Sequence, residues 1–209
     1  MGGSVSAMGI NGLLGVQPGF PQIDGTSGPN GGAFFTPFGG GVGTLNITST
    51  PNLYFPDSNT LQFINGGSLT ISAVIDEMDI STAGFVLTGG TTTGGLGNPL
   101  LIGSLLSYGL ENSTQNALGT DRADFLLNPT GGSMLTDPNF AAGSLIGITM
   151  TLEGSTYNGS LDEAWEANRA KFVLGPVASA LPEPSLMILI VLGLMSLVLF
   201  RPEMLKAKN

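Results

Sequence analysis

The chain has 209 residues, among them 33 Gly, 13 Pro and one Trp, with neither Cys nor His. Without those two side chains there is no Ser-His-Asp triad, no thiol nucleophile, no imidazole base and no ordinary zinc, haem or iron–sulfur centre. Fifteen acids against six bases, a net charge of −9, exclude a nucleic-acid partner, because phosphate recognition needs a basic face.

Residues 1–41 read as a Gly-rich N-terminal arm in which Phe20, Phe34, Phe35 and Phe38 are spaced by glycines, an irregular segment expected to dock on the domain that follows. Val5-Ser6-Ala7 has the small residues that signal peptidase takes, so residues 1–7 are read either as the remnant of a signal peptide or as a plain N-terminal extension. From residue 42 the pattern turns to alternation, the mark of half-buried strands. Ser68–Asp76 puts Leu69, Ile71, Ala73 and Ile75 on one face. Leu145–Glu153 does the same with Ile146, Ile148, Met150 and Leu152. Gly43–Thr50, Leu61–Ile64, Phe85–Thr88, Asp124–Leu127 and Lys171–Leu174 are further strand candidates. Asn65-Gly66-Gly67, Gly89-Gly90 and Gly131-Gly132 read as the breaks between them. Leu161–Arg169 is the one soluble helix the pattern predicts. The expected fold is mainly β, an antiparallel β-sandwich or jelly-roll-like domain over residues 42–174. Residues 175–184 would be its linker to the C-terminal tail.

The tail is set apart by charge. Residues 1–180 hold thirteen acids and three bases, whereas residues 201–209 hold Arg201, Lys206 and Lys208 against Glu203. Between them, Ser185-Leu186 through Phe200 is uncharged and apolar on every side, which suits lipid rather than water. Sixteen residues of helix reach roughly 24 Å, slightly short of a hydrocarbon core of about 30 Å, a gap that thinning of the bilayer and a snorkelling Arg201 can close. The sequence therefore predicts one C-terminal transmembrane helix over residues 185–200. The positive-inside rule puts residues 201–209 in the cytoplasm and the domain outside. Just before the helix, Pro182-Glu183-Pro184 is held extended by its two prolines, the backbone form in which processing enzymes bind their substrates.

Pro182-Glu183-Pro184, one hydrophobic helix and terminal basic residues together resemble the PEP-CTERM sorting tail of bacterial exported proteins. The likeness covers residues 181–208. It implies recognition by an exosortase near Pro182-Glu183-Pro184, an inner-membrane precursor, and a setting in the cell envelope or an exopolysaccharide-containing matrix. One departure stands out: Arg201 is followed by Pro202 and Glu203 instead of a tight basic cluster.

Three acidic groups could carry chemistry: Asp76-Glu77-Asp79, Asp121 with Asp124, and Asp162-Glu163-Glu166. Glycoside hydrolysis needs two carboxyl groups roughly 5–10 Å apart, and calcium needs several hard oxygens in one loop. Asp76, Asp79, Asp121 and Asp124 are the candidate calcium ligands, although no Asp-x-Asp-x-Asp-Gly loop is present. Solvated loop carboxylates are the bland alternative. Tyr54, Tyr108, Tyr157 and Trp165 are the aromatics that could stack on a sugar or equally lie in the core. Three function classes follow: an exported, non-enzymatic envelope or matrix protein sorted by its tail; a secreted carbohydrate-binding or carbohydrate-active protein using acidic loops; and a surface protein held by a plain C-terminal anchor.

Overall fold

Apolar residues two apart along the chain become the inward rows of ten strands. The computed structural model describes residues 13–26, 31–76, 80–91, 99–113 and 119–177. Its strands are β1 (Gln22–Thr26), β2 (Gly32–Gly39), β3 (Val42–Asp57), β4 (Thr60–Ile75), β5 (Ile80–Thr91), β6 (Leu101–Glu111), β7 (Thr120–Gly131), β8 (Ile146–Glu153), β9 (Trp165–Ala167) and β10 (Arg169–Pro176). Two short 3₁₀ turns, Ser133–Thr136 and Pro138–Phe140, join β7 to β8. Contacts gather this part of the chain into one unit that ends at Val177.

All ten strands belong to one antiparallel sheet in the order β1-β10-β8-β7-β6-β5-β4-β3-β2-β9, and β1 pairs a second time, with β3. That second pairing closes β1, β10, β8, β7, β6, β5, β4 and β3 into a ring and leaves β2 and β9 as a flap on β3. The architecture is therefore mainly antiparallel β, as the alternation predicts, with hydrogen bonds running through one sheet instead of two. Inside the ring lies a single apolar cluster. It contains the expected rows Leu69, Ile71, Ala73 and Ile75 of β4 and Ile146, Ile148, Met150 and Leu152 of β8, with Phe85, Phe125 and Phe172 filling between them.

The strands are longer than the sequence suggests because two of its glycine breaks lie inside strands, Asn65-Gly66-Gly67 in β4 and Gly89-Gly90 in β5. β4 runs through Asn65-Gly66-Gly67 with a register shift against β5, and Gly66 supplies the positive φ of +64° that the shift needs. A β-carbon on Gly67 would stand 2.5 Å from both Pro51 Cγ and the Thr88 carbonyl oxygen. β3 also shifts register beside this point, between Ser49 and Leu53. Neighbouring strands thus bend together, which is how sixteen-residue strands wrap a closed sheet.

Two expectations are overturned. Residues 1–41 are not irregular throughout, since β1 and β2 are strands of the sheet; among the described residues, 13–18 dock as a strap, tied at its end by Gly19 N–H to the Pro176 carbonyl at 2.8 Å and by a bridge from Pro18 to Val177. Leu161–Arg169 is not a helix. Trp165 and Ala167 turn inward with the alternation of β9, and pairing of Ala33–Phe35 with this segment outweighs its helical composition. Residues 178–209, with Pro182-Glu183-Pro184 and the predicted membrane span, lie outside the described residues. Among those described, no helix is long and apolar enough to cross a membrane.

Candidate functional site

Asp121 and Asp124, neighbours in sequence, are parted by the strand that carries them. An offset of three along β7 puts them on opposite faces. Asp121 points inward, 3% exposed, where one oxygen accepts the Ser113 N–H at 2.8 Å and the other has no hydrogen-bond partner. Asp124 points outward yet is 2% exposed, because the strap lies over it and offers the N–H groups of Leu14 and Val16.

The remaining acidic groups are bound up in local structure. The backbone carbonyl of Asp76 accepts the Tyr108 hydroxyl; Asp79 lies outside the described residues. Asp162 accepts the Gly41 N–H at 2.8 Å, and Glu163 accepts from the Asn158 side-chain amide at 2.7 Å. Among the described residues no three acidic side chains gather where they could hold a metal ion. Of the two roles open to Tyr54, Tyr108, Tyr157 and Trp165, the structure gives them the core: all four are buried. Trp165 stacks on Phe35 with centroids 5.9 Å apart and leans on Tyr157 at 5.3 Å.

What the sequence does not reveal is a groove of about 510 Å³ on the outer face of β7, β8, β10, β1 and β3, beside the strap. Register builds it in two rows. One runs Asp124, Thr149, Val173, Asp24 and Leu53 across β7, β8, β10, β1 and β3. Two residues along the strands, the other runs Arg122, Thr151 and Lys171. Leu13 and Val16 of the strap complete the wall. Burial pushes the Asp24 carboxyl above its ordinary value, since desolvation disfavours the charged form. Its Oδ1 is buried without a hydrogen-bond partner. Beside the groove, Glu153 bridges Lys171 and Arg169, the latter at 3.8 Å.

Chemically the groove offers two threonine hydroxyls and a guanidinium over an aliphatic floor. Asp24 and Asp124 share a row but stand three strand spacings apart, about 14 Å along the sheet. That exceeds the span over which two carboxyl groups cooperate on a glycosidic bond. The groove escapes sequence reasoning because its members come from five strands and the strap, and only the cross-strand register brings them together. The one available signal was the shortage of bases itself, which makes Arg122 and Lys171 conspicuous. Comparison with protein-family models, with curated proteins and with solved structures finds no match for this chain.

Proposed function

We propose that the chain is an exported, non-enzymatic protein of the cell envelope or extracellular matrix, held in the inner membrane by a helix over residues 185–200 and handed to an exosortase at Pro182-Glu183-Pro184. The observation that carries this reading is the order of the tail: an extended acidic tripeptide, an uncharged apolar run, then Arg201, Lys206 and Lys208 after a domain that is acidic almost throughout. The position of the last strand agrees with it. β10 ends at Pro176 and its unit at Val177, so a cut near residues 182–184 would remove none of the described strands. The β domain then works by binding, as a structural or adhesive module with exopolysaccharide as its natural partner.

The test is the intact mass, with C-terminal peptide mapping, of the protein recovered from the envelope and medium of its host. A mature chain ending near Pro182–Pro184 supports sorting, and Glu183→Ala should then leave the precursor uncut. A chain that still ends at Asn209 in the inner membrane supports the second reading, a plain anchor. Pro202 and Glu203, which interrupt the basic end of the tail, favour that alternative.

A further inference from the structure

The chain has six basic residues, and the three among the described residues, Arg122, Arg169 and Lys171, all stand on the outer face of the β7–β8–β10 sheet. Acidic side chains are scattered, at hairpins (Asp57), turns (Asp137) and the loop before β9 (Asp162, Glu163). On that face Asp24, Asp124 and Glu153 offset them, so the question is which base is left unpaired. Arg169 and Lys171 share Glu153 and are partly neutralised by it. Arg122 is exposed and forms no ion pair among the described residues. It is the cation left available to a ligand.

Asp124 and Lys171 of the groove are taken up by the strap and by Glu153, but three of its polar side chains have atoms that are uncommitted. Among the described residues the hydroxyls of Thr149 and Thr151 make no hydrogen bond to the protein, and Asp24 Oδ1 has no donor. Thr149 and Thr151 point the same way from β8, about 7 Å apart, the scale of one sugar ring. Val173, next to Thr149 in its row, offers an aliphatic surface to the C–H face of such a ring.

We propose that this groove binds an acidic saccharide, a sugar carrying a carboxylate, with the carboxylate on Arg122 and ring hydroxyls on Thr149 and Thr151. A guanidinium matches a carboxylate with two parallel hydrogen bonds. One charge per ring suits a site with one free cation. A polyphosphate would bring several charges at once against a chain of net charge −9. The volume of about 510 Å³ falls in the range of small-molecule sites and is open enough for a chain to continue past it. The inference gives the matrix module a ligand and rests on that reading for its setting alone. Failed tail processing would leave binding measurable, and failed binding would leave processing untouched.

The experiment is calorimetric titration of the full chain in detergent with digalacturonate, using cellobiose as the neutral control. Digalacturonate should bind saturably and more weakly as salt is raised. Arg122→Ala should weaken it roughly tenfold or more, the loss expected for one charge-assisted pair. Thr151→Val should weaken it less, and Arg169→Ala, outside the groove wall, should leave it unchanged. Thermal melts of each variant separate lost binding from lost folding. The proposal is overturned if digalacturonate does not bind, if cellobiose binds equally well, or if folded Arg122→Ala binds as the parent does.

Discussion

The buried carboxylate of Asp124 accepts the backbone N–H of Val16 at 3.2 Å, across 108 residues of sequence, and that of Leu14 at 2.9 Å. The strap has no strand partner over these residues, so the carboxylate does for its backbone what a neighbouring strand would do. Hydrogen bonds to a charged acceptor are the stronger kind. Asp124→Ala should therefore destabilise the domain by about 2–3 kcal/mol, and Asp124→Asn, which keeps one acceptor oxygen, by roughly half as much. Urea melts give the energy. Hydrogen exchange should place the loss at the amides of Leu14 and Val16; protection unchanged there would refute the assignment.

Val16 also lies against Gly147 of β8. A β-carbon at that glycine would meet Val16 Cγ1 at 2.1 Å and Val177 Cγ2 at 3.0 Å. Gly147→Ala should lift the strap while leaving the ring of strands intact, because the clash is with the strap and the chain's exit. Since both substitutions release the same segment, Gly147→Ala combined with Asp124→Ala should cost clearly less than the two separate losses added together. A double-mutant cycle by urea unfolding checks this, and strict additivity would contradict it.

Gly103 lies at a narrow join of the ring. β5 and β6 pair at three positions, Phe85 with Gly103, Val86 with Ile102 and Leu87 with Leu101. A β-carbon at Gly103 would stand 2.1 Å from the Asn128 carbonyl oxygen and 2.9 Å from Pro129 Cα, both backbone atoms of β7. Backbone held in a sheet cannot step aside as a side-chain tip can. Gly103→Ala should therefore destabilise by more than about 3 kcal/mol, at the upper end for overpacking. The readout is the yield of folded protein and its melting temperature; near-normal melting would mean that β6 and β7 can separate without loss.

The sequence contains one Trp, which makes Trp165 a clean probe. It is 4% exposed and packed between Phe35 and Tyr157. Native fluorescence should be blue-shifted and shielded from acrylamide, turning red and quenchable on unfolding. Trp165→Ala should cost about 3–5 kcal/mol as a core truncation. Sugars bound in the groove should leave its emission in place, because Trp165 is absent from the groove wall. A red, readily quenched native spectrum would return Trp165 to the role of an exposed sugar platform.

How much of this was legible in the sequence depends on the range of the interaction. Leu69, Ile71, Ala73 and Ile75 announce a strand and its inward face because period-two alternation is local, and the structure agrees. Gly66-Gly67 looks like a turn because glycine serves turns and bulges alike; only pairing with β5 decides between them. Leu161–Arg169 carries helix-forming residues, and its strand depends on β2, whose own partners lie elsewhere. Asp121 and Asp124 could have been separated from sequence by parity, once Asp124–Leu127 was read as a strand. The groove could not, because Arg122, Thr151 and Lys171 share a row only through a register that no local pattern encodes.

Asp24 sets a pH dependence whose sign follows from its burial. Desolvation raises its pKa above the ordinary 3.8, so the folded chain keeps a proton at pH values where the unfolded chain has already lost it. Below the unfolded value both states are protonated and burial costs no charge. As pH rises through the folded value the carboxylate must ionise in a desolvated place, and stability falls relative to that acid limit. Asp57 acts in the opposite sense: the Asn59 N–H and then the Thr60 hydroxyl lower its pKa, which favours the fold at higher pH. Because Asp57 is present in both proteins, its effect cancels when wild type and Asp24→Asn are compared. The variant keeps the shape of the side chain and removes its titration. It should melt above wild type at neutral pH, with the difference shrinking as pH falls toward about 4, where the ordinary carboxyl titrates. Paired thermal melts across that interval are the measurement. A variant that melts lower at neutral pH, or a difference that ignores pH, would mean that Asp24 is not a desolvated carboxyl with a buried, unpartnered oxygen.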